Sequence, residues 1–246
     1  MEKIQWQLGQ VKAIVQETPR VKTFTLQLPH WVAHLPGQHY DMRLTAEDGY
    51  QAERSYSIAS PPEQVGEVDL TIELIDDGEV SAYLHEGVAV GDSLEVRGPI
   101  GGYFVWGKEL HHQPLLLVAG GSGVVPLMAM LRHRALIGAA NPTVLLFSVR
   151  TEAEAIYRRE LEALAQHDER FELLFTFTRQ PPASWSGYHR RIDQAMLAEV
   201  LGRFQTPPQA FICGPTTLVE QTANTLVDLG LPADSIRTER FGPTGT

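Results

Sequence analysis

Apolar residues recur at two different periods along the chain, and the change falls near residue 108. Before it, short stretches with period-two or β-branched character run over Gln7–Val15, Lys22–Gln27, His39–Leu44, Arg54–Ser60, Val68–Ile75 and Ser93–Val96. Thr18-Pro19, Leu35-Pro36-Gly37, Pro61-Pro62 and Gly98-Pro99 punctuate them. Short strands at regular spacing with Gly/Pro turns predict an antiparallel barrel or sandwich. The one short helix expected there is Ser81–Glu86, with Ser81 as its N-cap. From Pro114 onward, unbroken apolar runs alternate with helical patterns. Strands are expected at Leu115–Ala119, Thr143–Val149, Phe171–Thr178, Gln209–Cys213 and Ser235–Phe241, and helices at Pro126–Ile137, Glu152–Gln166, Asp193–Leu201 and Pro215–Leu229. Apolar strands alternating with helices predict a parallel sheet covered on both faces. The expected organisation is therefore two domains, 1–107 and 108–246.

Composition narrows the function classes. The 246 residues carry a net charge of −10, which argues against a nucleic-acid binder. Residues 1–107 hold 7 Lys+Arg against 16 Asp+Glu, and residues 108–246 hold 13 against 14, so an anionic ligand is expected in the second half or at the seam. A single cysteine, Cys213, leaves no internal disulfide, no cysteine-ligated cluster and no Cys-rich zinc site in these residues. The histidines show no metal-ligand spacing, so no metal is expected. No apolar run reaches membrane-spanning length and the start lacks a secretory pattern, so a cytoplasmic location is expected.

Four stretches carry candidate chemistry. In Arg54-Ser55-Tyr56-Ser57, strand alternation puts Arg54 and Tyr56 on one face and Ser55 and Ser57 on the other. An Arg fork grips phosphate and a Tyr offers a flat apolar face, which suits a ligand with a phosphate and a ring. A helix start at Gly78-Glu79-Val80-Ser81 attracts phosphate through its free N–H groups. Gly120-Gly121-Ser122-Gly123-Val124-Val125-Pro126, between strand and helix, lets backbone approach a pyrophosphate, although Pro126 stands where the ordinary dinucleotide fingerprint has its third glycine. Ser148, Arg150, Tyr157 and Arg158 follow the second parallel strand, where Arg favours a 2′-phosphate and an acidic residue favours a free ribose hydroxyl.

Taken in order, Arg54-Ser55-Tyr56-Ser57, Gly78-x-x-Ser81, Gly98-Pro99-x-Gly101-x-x-Phe104, the Gly120–Pro126 loop and Cys213-Gly214-Pro215 resemble the ferredoxin–NADP reductase family of flavoproteins across essentially the whole chain. The resemblance implies an FAD-binding antiparallel β-barrel of Greek-key type followed by an NAD(P)-binding α/β domain, with no fused ferredoxin domain. It implies that Arg54, Ser55, Tyr56, Ser57, Ile72, Gly78, Val80, Ser81 and Phe241 hold FAD. Gly120, Gly121, Ser122, Gly123, Pro126, Ser148, Arg150, Tyr157, Arg158, Thr178, Cys213, Gly214 and Pro215 are the counterpart set for NADPH or NADH. Ser57, Cys213 and Glu239 are implied at the reacting centre, with Phe241 standing where the family more often has Tyr.

The function so implied is an NADPH-dependent FAD reductase that passes single electrons to a separate carrier such as a ferredoxin, a flavodoxin or an oxygenase component. An NADH-dependent oxygenase reductase, a reductase of free flavin and a non-catalytic flavin-binding subunit are the alternatives. Lys3, Lys12, Arg20, Lys22, Arg43 and Arg132-His133-Arg134 are the candidate basic positions for an acidic carrier.

Overall fold

The computed structural model describes residues 4–241, and Lys3 lies outside them. The chain divides into two compact units. One comprises Met1–Val105 with Met128–Leu136, the other Trp106–Leu127 with Ile137–Thr246.

The first unit is a six-stranded antiparallel sheet of β1 (Gln7–Thr18), β2 (Val21–Gln27), β3 (His39–Thr45), β4 (Gln51–Ser57), β5 (Glu67–Glu73) and β6 (Ser93–Ile100). Its order is β4-β3-β6-β1-β2-β5. β6 inserts between the β3–β4 and β1–β2 hairpins, so the sheet is not a simple meander. The two edge strands meet just past β4. Ile58 bridges Leu70 of β5, the Ile58 N–H donates to Gln38 O at 3.0 Å, and the Ala59 N–H donates to Asp69 O at 2.8 Å. The expected strand Arg54–Ser60 is thus two things: the end of β4, and a crossover that closes the barrel. Every second residue of each strand turns inward. Phe24, Leu26, Tyr40, Met42, Ile58, Leu70, Ile72 and Val96 are wholly buried in one core. Each large apolar side chain so removed from water stabilises the fold by about 1.5–3 kcal/mol.

The second unit holds a five-stranded parallel sheet of β7 (Leu115–Gly120), β8 (Thr143–Thr151), β9 (Phe171–Gln180), β10 (Gln209–Pro215) and β11 (Ile236–Phe241), in the order β11-β10-β7-β8-β9. β7 and β10 lie inside the sheet and show the unbroken burial expected of strands covered on both faces. Besides α1 (Glu79–Glu86) of the first unit, the helices are α2 (Val124–Leu136), which belongs to the first unit from Met128 onward, α3 (Arg158–His167), α4 (Gln194–Leu201) and α5 (Thr216–Asp228). Asp193 caps α4 as its sequence suggests, accepting from the Met196 N–H at 2.8 Å.

Three expectations change. α1 begins at Glu79, with Gly78 at the N-cap, so Ser81 lies inside the first turn. α2 begins at Val124, which makes Pro126 its third residue; Pro is tolerated there because first-turn N–H groups have no partner within the helix. The expected helix Glu152–Gln166 is broken. A 3₁₀ turn covers Glu152–Glu154, Tyr157 adopts φ 57°, and only then does α3 start. Ala155, Ile156 and Tyr157 are all buried. Three consecutive residues cannot share one face of a helix, so burying all three requires the chain to leave the helix. Among the described residues no helix is long and apolar enough to cross a membrane.

Candidate functional site

In the first unit the site grows from the register of β3 and β4, which runs unbroken from His39 opposite Ser57 to Thr45 opposite Gln51. Directly opposed residues share a face. Tyr56 therefore lies beside Tyr40, and Arg54 beside Met42, on the face that further along the strands becomes the core. Tyr56 is half-buried against that core, and its phenol pKa is pushed up to about 12 by burial, partly countered by the charge of Arg54. Arg54 is exposed, and one guanidinium nitrogen donates to Glu53 O at 2.7 Å.

Ser55 and Ser57 lie on the opposite face, beside Asp41 and His39. The Ser55 hydroxyl donates to Asp41 Oδ1 at 2.6 Å, so it is committed within the barrel wall. Ser81 is committed too. Its buried Oγ donates to Gly78 O at 3.0 Å and accepts from the Ile75 N–H at 3.1 Å. This bond pair builds the turn and leaves the first-turn N–H groups of α1 as the donors there. Gly78 is needed at the turn, because a Cβ would lie 2.5 Å from Ser81 Oγ. Val80 turns its side chain into the core. Ile72 has a wholly buried side chain, and its carbonyl is bonded to His85 Nε2 at 3.0 Å.

In the second unit, the loop after β7 and the end of β10 press together backbone to backbone. A Cβ on Gly123 would lie 2.8 Å from Gly214 N and closer still to the Cys213 carbonyl. A Cβ on Gly120 would lie 2.7 Å from Leu218 Cδ1 and 3.0 Å from Pro215 Cδ. Gly121, at φ 55°, has nothing within 4 Å of its Cβ position, so the loop is packed on one side and open on the other. These loop glycines lead directly into the N-terminus of α2 and form a cradle, the kind of place where a loop without side chains lets an anion approach the backbone.

Cys213 sits at the floor of this cradle, opposite Glu239 of β11 and Ala119 of β7. Burial drives its thiol pKa well up, and the Glu239 carboxylate adds to this against a hydrogen bond from the Gly214 backbone. Burial and the carboxylate both favour the thiol over the thiolate, the form that would be nucleophilic. Phe241 ends β11 opposite Pro215 and is half-buried.

Around β8, Ser148 is buried opposite Gly120, and Arg150 is exposed at the strand end. Thr178 donates from Oγ1 to Val149 O at 3.3 Å. Arg158 is ion-paired with Glu152 and with Glu162, the latter at 2.7 Å. Tyr157 holds the left-handed N-cap of α3 and is buried.

Sequence reasoning missed a polar cluster on the outer face of β3, β4 and β6. Asp41 there also accepts from Arg97 Nη2 at 2.7 Å, and His39 Nε2 lies 3.8 Å from Asp41 Oδ1. The signal was present as His39, Asp41 and Arg43 alternating along one strand and Glu95 and Arg97 along another. The basic positions suggested for a carrier are largely taken up. Arg20 pairs with Asp76, Arg43 with Glu95, and Arg132 donates to Ala59 O at 2.9 Å beside Asp69. His133 meets Glu63 at 2.7 Å, Lys22 donates to His85 O and Arg134 is buried.

The residues fit the cofactors that a flavin reductase needs. Arg54 has a donor fork at the surface, Tyr56 a flat half-buried ring, and the glycine loops a cradle that any side chain would fill. Residues 8–105 match the oxidoreductase FAD-binding domain family, and residues 117–224 the oxidoreductase NAD-binding domain family. Ferredoxin--NADP reductase B of Sorangium cellulosum is 36% identical over 200 residues, covering 78% of this chain and 80% of that protein. The glycine betaine monooxygenase reductase subunit of Chromohalobacter salexigens is 32% identical over 235 residues; this chain is matched over 94% of its length but spans only 63% of that protein. The CS-b5R domains of human Ncb5or, in the NAD+ form, superpose with a TM-score of 0.84 at 25% identity, covering 96% of this chain and 70% of that one. An antiparallel FAD-binding barrel, a parallel-sheet NAD-binding domain and these relatives together place the chain in the ferredoxin–NADP reductase family of oxidoreductases.

Proposed function

We propose that this chain is an NADPH-dependent flavoprotein reductase that delivers electrons singly to a separate protein carrier: a ferredoxin, a flavodoxin or an oxygenase component. The observation that carries this reading is the close backbone packing of Gly120–Gly123 against Cys213–Pro215 at the start of α2, with open space over Gly121. FAD, when bound, supplies the conversion of a two-electron donor into one-electron steps. Arg54 and the first-turn N–H groups of α1 hold its diphosphate, and Tyr56 lies against its ring. Gly78 keeps the turn tight enough for that approach. A diphosphate clamp favours FAD over FMN or riboflavin, which argues against free flavin as substrate.

Cys213 and Ser148 give the second unit a buried, uncharged floor, and Glu239, opposite Cys213 on β11, is an ionisable group that can hold a proton there. Ser57 presents a hydroxyl at the end of β4, and Phe241 an aromatic edge at the end of β11. The domain division at 107/108 belongs to the same reading, supported by the two family matches that fall on either side of it. So does a cytoplasmic setting, where reduced nicotinamide and carrier proteins are supplied.

The preference for NADPH rests on Arg150, since Arg158 is committed to Glu152 and Glu162. A second reading has support of its own. Glu152, though paired with Arg158, directly follows β8, where a carboxylate favours NADH, and the glycine betaine relative is an oxygenase reductase subunit by name. Anaerobic titration with NADPH and, separately, NADH, followed by flavin absorbance, decides between them. Fast bleaching by NADPH and slow bleaching by NADH is the expected result; the reverse order transfers the assignment to NADH. A protein that cannot be loaded with FAD would overturn the reductase reading itself.

A further inference from the structure

Asp41 is the hub of the outer face of the barrel wall. Each carboxylate oxygen is taken from a different flanking strand: Oδ1 by Ser55 Oγ of β4 at 2.6 Å, Oδ2 by Arg97 Nη2 of β6 at 2.7 Å. Burial pushes its pKa up, but the bonds from Ser55 and Arg97 and the charges of His39 and Arg97 outweigh this, and the carboxyl lies below its usual range. Arg97 is itself held from above. The Trp6 ring lies 4.6 Å from its guanidinium carbon and 4.2 Å from that of Arg43, which is tied in turn to Glu95. Trp6 therefore locks two cations in place by cation–π attraction.

One step further along β3, on the same face, His39 lies 3.8 Å from Asp41 and opposite Ser57. The groups that face it are few. Asp41 stands on its own strand, the uncharged Ser55 and Ser57 on β4, and Arg97 with the uncharged Ile100 on β6. A Cβ on Gly101 would be 3.6 Å from its Nδ1. Burial lowers the His39 pKa, and Asp41 counters this only in part. Ser57 is the residue that the flavin reading places at the reacting edge, so the charge on His39 is adjacent to that edge.

We propose that Asp41 is a positioning residue: it fixes the Ser55–Ser57 run of β4 through Ser55, and it sets the charge on His39 beside Ser57, so that the flavin's midpoint potential follows pH through His39. The proposal rests on the flavin reading above. A protonated His39 stabilises the electron-rich reduced ring, so His39 binds its proton more tightly when the flavin is reduced, and the potential falls more steeply with pH between the oxidised- and reduced-state His39 pKa values.

The test has two readouts on the FAD-loaded protein: the His39 imidazole titration by NMR, assigned with His39→Gln, and the midpoint potential measured against pH. In the wild type the potential curve bends at the pH where His39 titrates. In Asp41→Asn the His39 proton affinity falls about three- to ten-fold, and the bend moves with it. In His39→Gln the bend disappears. An unmoved His39 titration in Asp41→Asn, or a bend that survives His39→Gln, overturns the proposal while FAD binding stands. A wild type that fails to take up FAD overturns the flavin reading and this proposal with it. Should Asp41→Asn fail to fold, the His39→Gln comparison decides alone.

Discussion

Gly123→Ala isolates the glycine cradle. The added Cβ would meet the Gly214 nitrogen at 2.8 Å and the Cys213 carbonyl more closely still, and these are backbone atoms of β10 that have no rotamer to change. Real Cβ atoms stay beyond 3.0 Å of such neighbours. The loop after β7 and the end of β10 must therefore separate by roughly 1 Å, a shift on the scale that costs about 100-fold in rate when it displaces a bound reactant. Overpacking of this kind destabilises by about 1–3 kcal/mol. The assay is stopped-flow reduction of the FAD-loaded variant by NADPH, with a urea unfolding curve alongside. FAD content should be unchanged, because Arg54, Tyr56 and α1 are untouched, while kcat/KM for NADPH falls about 100-fold. Gly121→Ala is the control. It meets no atom within 4 Å and bears only the cost of φ 55°, about 1–2 kcal/mol, so its binding defect should be smaller. Wild-type reduction by Gly123→Ala would refute the cradle as the dinucleotide site.

Three further outcomes are expected. Arg150→Ala removes charge-assisted bonds worth about 1.5–3 kcal/mol each, so kcat/KM for NADPH should fall about 10- to 100-fold with little change for NADH; equal losses would remove Arg150 from the 2′-phosphate site. Tyr40→Phe should raise stability by about 1 kcal/mol in urea, since the Tyr40 hydroxyl is wholly buried with no hydrogen-bonding partner among the described residues and burial pushes its pKa up to about 12; a loss of stability would mean that a partner satisfies it. His34 and His39 both have pKa values lowered mainly by burial, so folding favours their neutral forms: stability should be full above pH 6.5 and decline as pH falls from there through the lowered values, measured as urea midpoints at pH 7.5 and 5.5, and a midpoint that rises on acidification would contradict it.

The parallel sheet was the easiest part to read because its signal is local. Leu115–Ala119 and Gln209–Cys213 are apolar without interruption, and a strand buried on both faces can hardly look otherwise. The glycine loop was legible for the same reason. It needs a run of residues without side chains, and the run is contiguous in sequence. The Glu152–Gln166 helix was misread because three neighbouring apolar residues, Ala155 to Tyr157, all had to be buried, and helical periodicity does not announce where it will be abandoned. Ser81 was misjudged because an N-cap is defined by backbone geometry, and the same hydroxyl one turn later closes the Ile75–Gly78 loop instead.

The Asp41 hub shows what a linear reading leaves out. Its three partners come from β3, β4 and β6, and the contact with Arg97 joins residues 56 positions apart. Period-two alternation announces that Asp41 and His39 share a face, but not which strands flank them. β6 reaches β3 only because the sheet order inserts it between two hairpins, so Arg97 meets Asp41 through topology rather than through any local pattern. The same insertion explains why a chain with nine more acidic than basic residues in its first 107 can still keep a dense set of satisfied cations there. Arg43 and Arg97 are each flanked by a carboxylate on the adjoining strand, and the Trp6 ring covers both. Arg54 lies apart from this outer-face arrangement, on the opposite face of β4, where it donates to the Glu53 carbonyl. In so acidic a unit, an arginine with no carboxylate paired to it among the described residues is the group that an anionic ligand would find, and it stands two residues from the tyrosine that a flat ring would cover.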